Sequence, residues 1–102
     1  MTHPTMVLLA RFKSSLSLEE IMQVAKKRAP EFRALAGLQQ KYYLLDTTSG
    51  EFAGLYLWES PEALAEYRDS ELRATIAQAY ETIGEPRVEV FKVMMPLRET
   101  TA

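Results

Sequence analysis

Two cations sit inside apolar, alternating stretches of this chain, Arg11 in 6-MVLLARFK-13 and Lys41 in 38-LQQKYYLL-45. A lysine or arginine held among apolar neighbours stabilises an anion, and a buried lysine loses basicity until it can itself accept a proton near neutral pH. Lys41 and Arg11 are therefore the candidate catalytic residues. Around them, Tyr43, Tyr56, Trp58, Tyr67 and Tyr80 offer ring faces and Ile76 an aliphatic one, the combination that holds a small hydrophobic or aromatic molecule. The same residues have plain structural uses. Rings on a sheet face fill cores, a lysine runs its stem along apolar surface and keeps its head in water, and an arginine on a strand pairs with an acid on the next.

Positioning these groups requires strands and helices in a definite order. Residues 5–13 read as a strand. Ser17 and Glu20 have the spacing of a capping box ahead of a helix with Leu18, Ile21, Met22, Ala25, Ala29 and Phe32 on its apolar stripe. Pro30 predicts a kink or break near Ala29, a short continuation to Leu35, and a stop at Gly37. Residues 38–47 and 51–58 form a hairpin about Thr48-Ser49-Gly50. Ser60-Pro61-Glu62 starts a helix through Tyr67; a second helical segment carries Leu72, Ile76, Tyr80 and Ile83 to a stop at Gly84; residues 86–97 are the last strand. The order βαββαβ over a single domain, residues 1–102, predicts an α+β, ferredoxin-like four-stranded antiparallel sheet with helices on one face.

Loops of two or four residues in the hairpin give the same parity. Lys41, Tyr43, Leu45, Phe52, Gly54, Tyr56 and Trp58 share one face, and Tyr42, Leu44, Ala53, Leu55 and Leu57 the other. The first set is expected to face the helices, with Phe52 packing and Tyr43, Tyr56 and Trp58 edging a cavity opposite Ala74 and Ala77. Gly54 marks a bulge or a close approach of backbones. The second face is also apolar, as are Val93, Met94 and Met95, so the sheet predicts a homodimer pairing through its open face.

Composition narrows the function further. The chain has 102 residues, 47% apolar and 25% charged, with a formal charge of −2, which gives no basic field for nucleic acid. The run Lys26-Lys27-Arg28 reads as a solvated helix surface. Absence of cysteine excludes thiolate catalysis and disulfides and suits a cytoplasmic protein; no apolar run is long enough for a membrane span. A single histidine, His3, and scattered carboxylates give no metal set and no resident cofactor.

The segments 29-AP-30, 37-GL-38 and 41-KYYL-44, then Asp46, Gly50 and 54-GLYLWES-60, resemble the YdhR-type mono-oxygenase family. That family lies in the dimeric α+β barrel superfamily together with the antibiotic-biosynthesis monooxygenases. The resemblance spans about residues 5–97. It implies a cofactor-independent monooxygenase acting on a small aromatic or polycyclic compound, in which a deprotonated phenol or enol reduces oxygen while the protein holds the anion. Alternatives are a dimeric small-molecule-binding or stress-related module without catalysis, and an isomerase of the same superfamily. Haem-degrading members use an Asn, a Trp and a His; Trp58 matches the Trp, but Ala10 and Ala77 stand at the other two positions, so the haem branch is set aside.

Overall fold

The computed structural model describes residues 3–98. Its elements are β1 (Met6–Ser14), α1 (Leu18–Arg33), β2 (Leu38–Leu45), β3 (Phe52–Trp58), α2 (Pro61–Arg68), two single-turn helices α3 (Glu71–Ala74) and α4 (Ile76–Ala79), and β4 (Thr82–Lys92). All pairings are antiparallel and the sheet order is β2-β3-β1-β4, the expected ferredoxin-like arrangement. Among the described residues, no helix is long and apolar enough to cross a membrane.

The helices begin where their capping side chains place them. Ser17 Oγ accepts from the Glu20 amide while Glu20 Oε1 accepts from the Ser17 amide, closing the capping box; Ser60 Oγ accepts from the Ala63 amide ahead of Pro61. Pro30 does not break α1. It falls in the last turn, Ala34 N–H still reaches Pro30 O at 3.2 Å, and the buried Phe32 anchors that turn in the core. Gly37 then turns the chain at φ +86°.

The second helical stretch departs from expectation. It splits at Thr75, whose Oγ1 donates back to the carbonyls of Glu71 and Leu72 at 3.1 Å each. Such back-bonding bends a helix. The helical path ends at Tyr80 and Glu81, the latter at φ 46°, so Ile83 belongs to β4, exposed and paired with Lys13. Gly84 is no helix stop. It sits with Pro86 in an irregularity where β4 slips against β1 between Arg11 and Lys13. Correspondingly β4 starts earlier than residue 86 and ends at Lys92, leaving Val93 to Leu97 beyond the strand.

The core lies between the helices and one sheet face. Leu8, Phe32, Tyr56, Trp58, Leu64 and Tyr67 form it, with Trp58 only 1% exposed. At roughly 1.5–3 kcal/mol for each large side chain removed from water, these residues supply much of the drive for folding. The opposite face carries Val7, Leu9, Leu55 and Leu57, none fully buried, beside the exposed Tyr42, Leu44 and Phe91.

Candidate functional site

Strand parity decides which side chains meet. The hairpin closes through a four-residue loop: Leu45 pairs with Phe52, and the Asp46 amide donates to Glu51 O at 2.8 Å. A bulge does occur in β2, but between Leu38 and Gln40, upstream of the pairs Lys41–Tyr56 and Tyr43–Gly54. The segregation expected from residue 41 onward therefore survives. Gly54 is not at a bulge; the Tyr56 ring folds over it, and a Cβ there would lie 2.9 Å from that ring.

Lys41 stands directly across from Tyr56 with its ammonium enclosed by rings. Nζ lies 3.6 Å from the Phe32 centroid, and 4.5 Å from each of those of Tyr43 and Tyr56. Among the described residues it makes no ion pair. Burial, reinforced by the positive charge of Arg28, pulls the Lys41 pKa down to about 7. The ring faces act in the opposite sense, since each attracts the charged form. Arg28 is itself fixed: Nη2 donates to Leu72 O at 3.0 Å and Thr75 Oγ1 at 2.8 Å, and Nη1 to Thr75 O at 3.3 Å, strapping α1 to α3. Of the run 26–28, only the two lysines behave as solvated surface.

Beside Lys41 opens a cavity of about 310 Å³ between the end of α1 and β2, lined by Ala29, Phe32, Arg33, Gln39, Gln40, Lys41 and Tyr43, with Leu38. No acid lines it. A second, more apolar cavity of about 170 Å³ lies between β1, β4 and the short helices, where Tyr67, Ile76, Ala74, Ala77, Leu8 and Val88 form much of the wall. The two are separated by the aromatic core. There Tyr56 and Trp58 stack with an interplanar angle of 4°, and Tyr67 Oη donates to Tyr56 Oη at 3.3 Å.

The expected site residues thus divide. Lys41 and Tyr43 line the larger cavity, Tyr67 and Ile76 the smaller. Tyr56, Trp58 and Tyr80 are core residues that line neither, and both Trp58 Nε1 and Tyr80 Oη are buried without a partner among the described residues. Burial raises the pKa of all four tyrosines at 43, 56, 67 and 80, that of Tyr80 to about 12, so all stay protonated at neutral pH. Arg11 is not brought to this cluster. Its register with Ala53 turns it to the open sheet face, where Nη1 meets Asp46 Oδ2 at 3.2 Å. The Asp46 carboxyl is held below its ordinary pKa by the Ser49 and Thr48 amides. Sequence reasoning missed the α1 contribution: Phe32 was legible only as an apolar stripe position and Arg28 and Arg33 only as helix charges. Among the described residues, no group of three or more His, Asp or Glu could hold a metal ion.

The family model described as "Putative mono-oxygenase ydhR" matches residues 7–102. No curated protein matches the sequence. Several solved structures share the fold. SnoaB, a cofactor-independent oxygenase from Streptomyces nogalater, aligns at 15% identity and TM-score 0.73 over 94% of this chain and 99% of its own. A putative antibiotic biosynthesis monooxygenase from Caulobacter crescentus aligns at 17% identity and TM-score 0.73, covering 91% and 92%. A dimeric ferredoxin-like protein of unknown function from Thermobifida fusca aligns at 15% and 0.69, covering 91% and 94%.

Proposed function

Since the chain belongs to the ydhR family of putative mono-oxygenases, we propose that it oxygenates a small aromatic or polycyclic phenol or enol using the substrate's own electrons. The observation that carries this reading is Lys41, an amine whose basicity is reduced by burial, set among three rings at the wall of an acid-free cavity. A cavity of about 310 Å³ is at the lower end of the range that holds drug-sized ligands. The substrate's planar ring stacks against Tyr43 and its hydroxyl lies toward Nζ. Lys41 accepts the phenolic proton, and the resulting ammonium together with Arg28 and Arg33 stabilises the anion. The electron-rich anion then transfers an electron to dioxygen, and recombination at a ring carbon bearing hydrogen gives a peroxide that takes the proton back from Lys41; O–O cleavage with loss of that carbon's hydrogen releases the second oxygen as water and leaves a carbonyl. SnoaB, which has the same fold, is described as a cofactor-independent oxygenase, and that description supports the reading.

The same proposal includes a homodimer through the open sheet face. That face exposes Tyr42, Leu44 and Phe91 beside four half-buried aliphatics, and the similar Thermobifida fusca protein is described as dimeric.

Oxygen uptake by metal-stripped protein with a panel of quinols and hydroxylated polycyclics tests the reaction. Uptake that falls at least about 100-fold in Lys41→Met is expected for a general base. Saturable binding without uptake assigns the chain instead to ligand-binding modules, and turnover without oxygen consumption makes it an isomerase.

A further inference from the structure

We propose that Lys41 is also a nucleophile, capturing a small oxo acid as an imine in the cavity between α1 and β2, with the acid's carboxylate directed toward Arg33. Geometry carries the case. An amine that is to attack a carbonyl must be reachable, must carry a free electron pair, and must not be tied to a carboxylate. Lys41 is half-buried at the wall of an open cavity, its Nζ faces rings on three sides, and among the described residues it has no ion-pair partner. The other four lysines, Lys13, Lys26, Lys27 and Lys92, are all exposed. Lys41 is thus set apart from every other lysine by its surroundings.

The charges around the cavity select the ligand. Arg33 lines it and is exposed, Arg28 lies 6.0 Å from the Phe32 ring on the same helix, and no Asp or Glu lines the wall. The phenols that face the amine, those of Tyr43 and Tyr56, are both kept protonated by burial. A ligand with a negative group fits this field, and a carbonyl beside that group comes within reach of Nζ. The step is balanced: the nitrogen lone pair forms the new C–N bond, and the carbonyl oxygen leaves as water with the two amine protons. Protonation of the imine by solvent then gives an iminium cation, which the Phe32, Tyr43 and Tyr56 faces stabilise as they do the ammonium. The reduced basicity of Lys41 supports the same chemistry, because a larger fraction of it is neutral at pH 7.

Glyoxylate and cyanoborohydride at pH 7, without oxygen, followed by peptide mapping by mass spectrometry, test the inference. Carboxymethylation of Lys41 at least about tenfold faster than at any of the four exposed lysines is expected, from its greater neutral fraction offset by lower intrinsic nucleophilicity. Equal rates at all five overturn it. Arg33→Gln is expected to slow labelling by glyoxylate but not by propanal, a neutral aldehyde; equal slowing of both overturns the carboxylate assignment. Peptide mapping keeps the α-amino group separate from the lysines. Because no oxygen chemistry is involved, failure of oxygen uptake and failure of imine capture are read independently.

Discussion

At Lys41 two opposing effects meet in one side chain, and pH separates them. Burial lowers its pKa in the folded protein to about 7, whereas the unfolded chain keeps the ordinary value. Between those values the unfolded state binds a proton that the folded state does not, so stability rises with pH across that window. The tyrosines act in the opposite direction. Their folded pKa values are raised, Tyr80's to about 12, so above about pH 10 the unfolded state ionises first and stability falls. Urea titrations from pH 6 to 11 are expected to show a rise and then a decline. Lys41→Met should remove the rising limb and stabilise the protein at pH 7 by ~2 kcal/mol, discounted for partial exposure. A wild-type curve flat up to pH 10 means that the ring faces hold the ammonium at its ordinary basicity. Lys41 and Tyr43 were legible because hairpin parity is local. Arg11 was not, because its face is set by pairing with Ala53, far along the chain, and no short-range pattern encodes that register.

Among the elements, the junction of α1 and β2 is tightly constrained. Gly37 adopts φ +86°, and a Cβ there would meet Ala63 Cβ at 2.5 Å, a methyl group that cannot swing away from α2. Gly37→Ala is therefore expected to destabilise by roughly 1–3 kcal/mol, read from the chemical denaturation midpoint, and to loosen the cavity that begins at Leu38. An unchanged midpoint would show that α2 yields to the methyl group. Helix starts were legible from capping residues, and the strands from their apolar runs. The break at Thr75 was not. It depends on a threonine hydroxyl bonding backward and on Arg28 reaching across from another helix to the Leu72 carbonyl and to that same hydroxyl oxygen, a tertiary contact that overrides an i, i+4 stripe. Pro30 errs in the other direction, since the buried Phe32 holds a turn that proline alone would disrupt.

Taken whole, the molecule has one covered sheet face and one uncovered. Leu57→Asp on the open face is expected to convert a dimer to a monomer by light scattering at micromolar concentration, with the helix-side core intact by near-ultraviolet circular dichroism; a wild-type chain that already scatters as a monomer overturns the dimer. The covered face was legible as a set of rings, but the division of its space into two cavities was not, because volume depends on how Tyr56 folds over Gly54 and how α3 and α4 separate. Beyond β4 the chain continues with Met94 and Met95, 96% and 73% exposed, while Trp58 is sealed at 1%. In the single chain these two are the most exposed of the described methionines and the most open to peroxide, and their sulfoxides are polar where the sulfides were not. Oxidative damage would accordingly register first in the tail, sparing the indole and the lysine cage, and the methionine-reducing enzymes of a cell could reverse it without unfolding the chain.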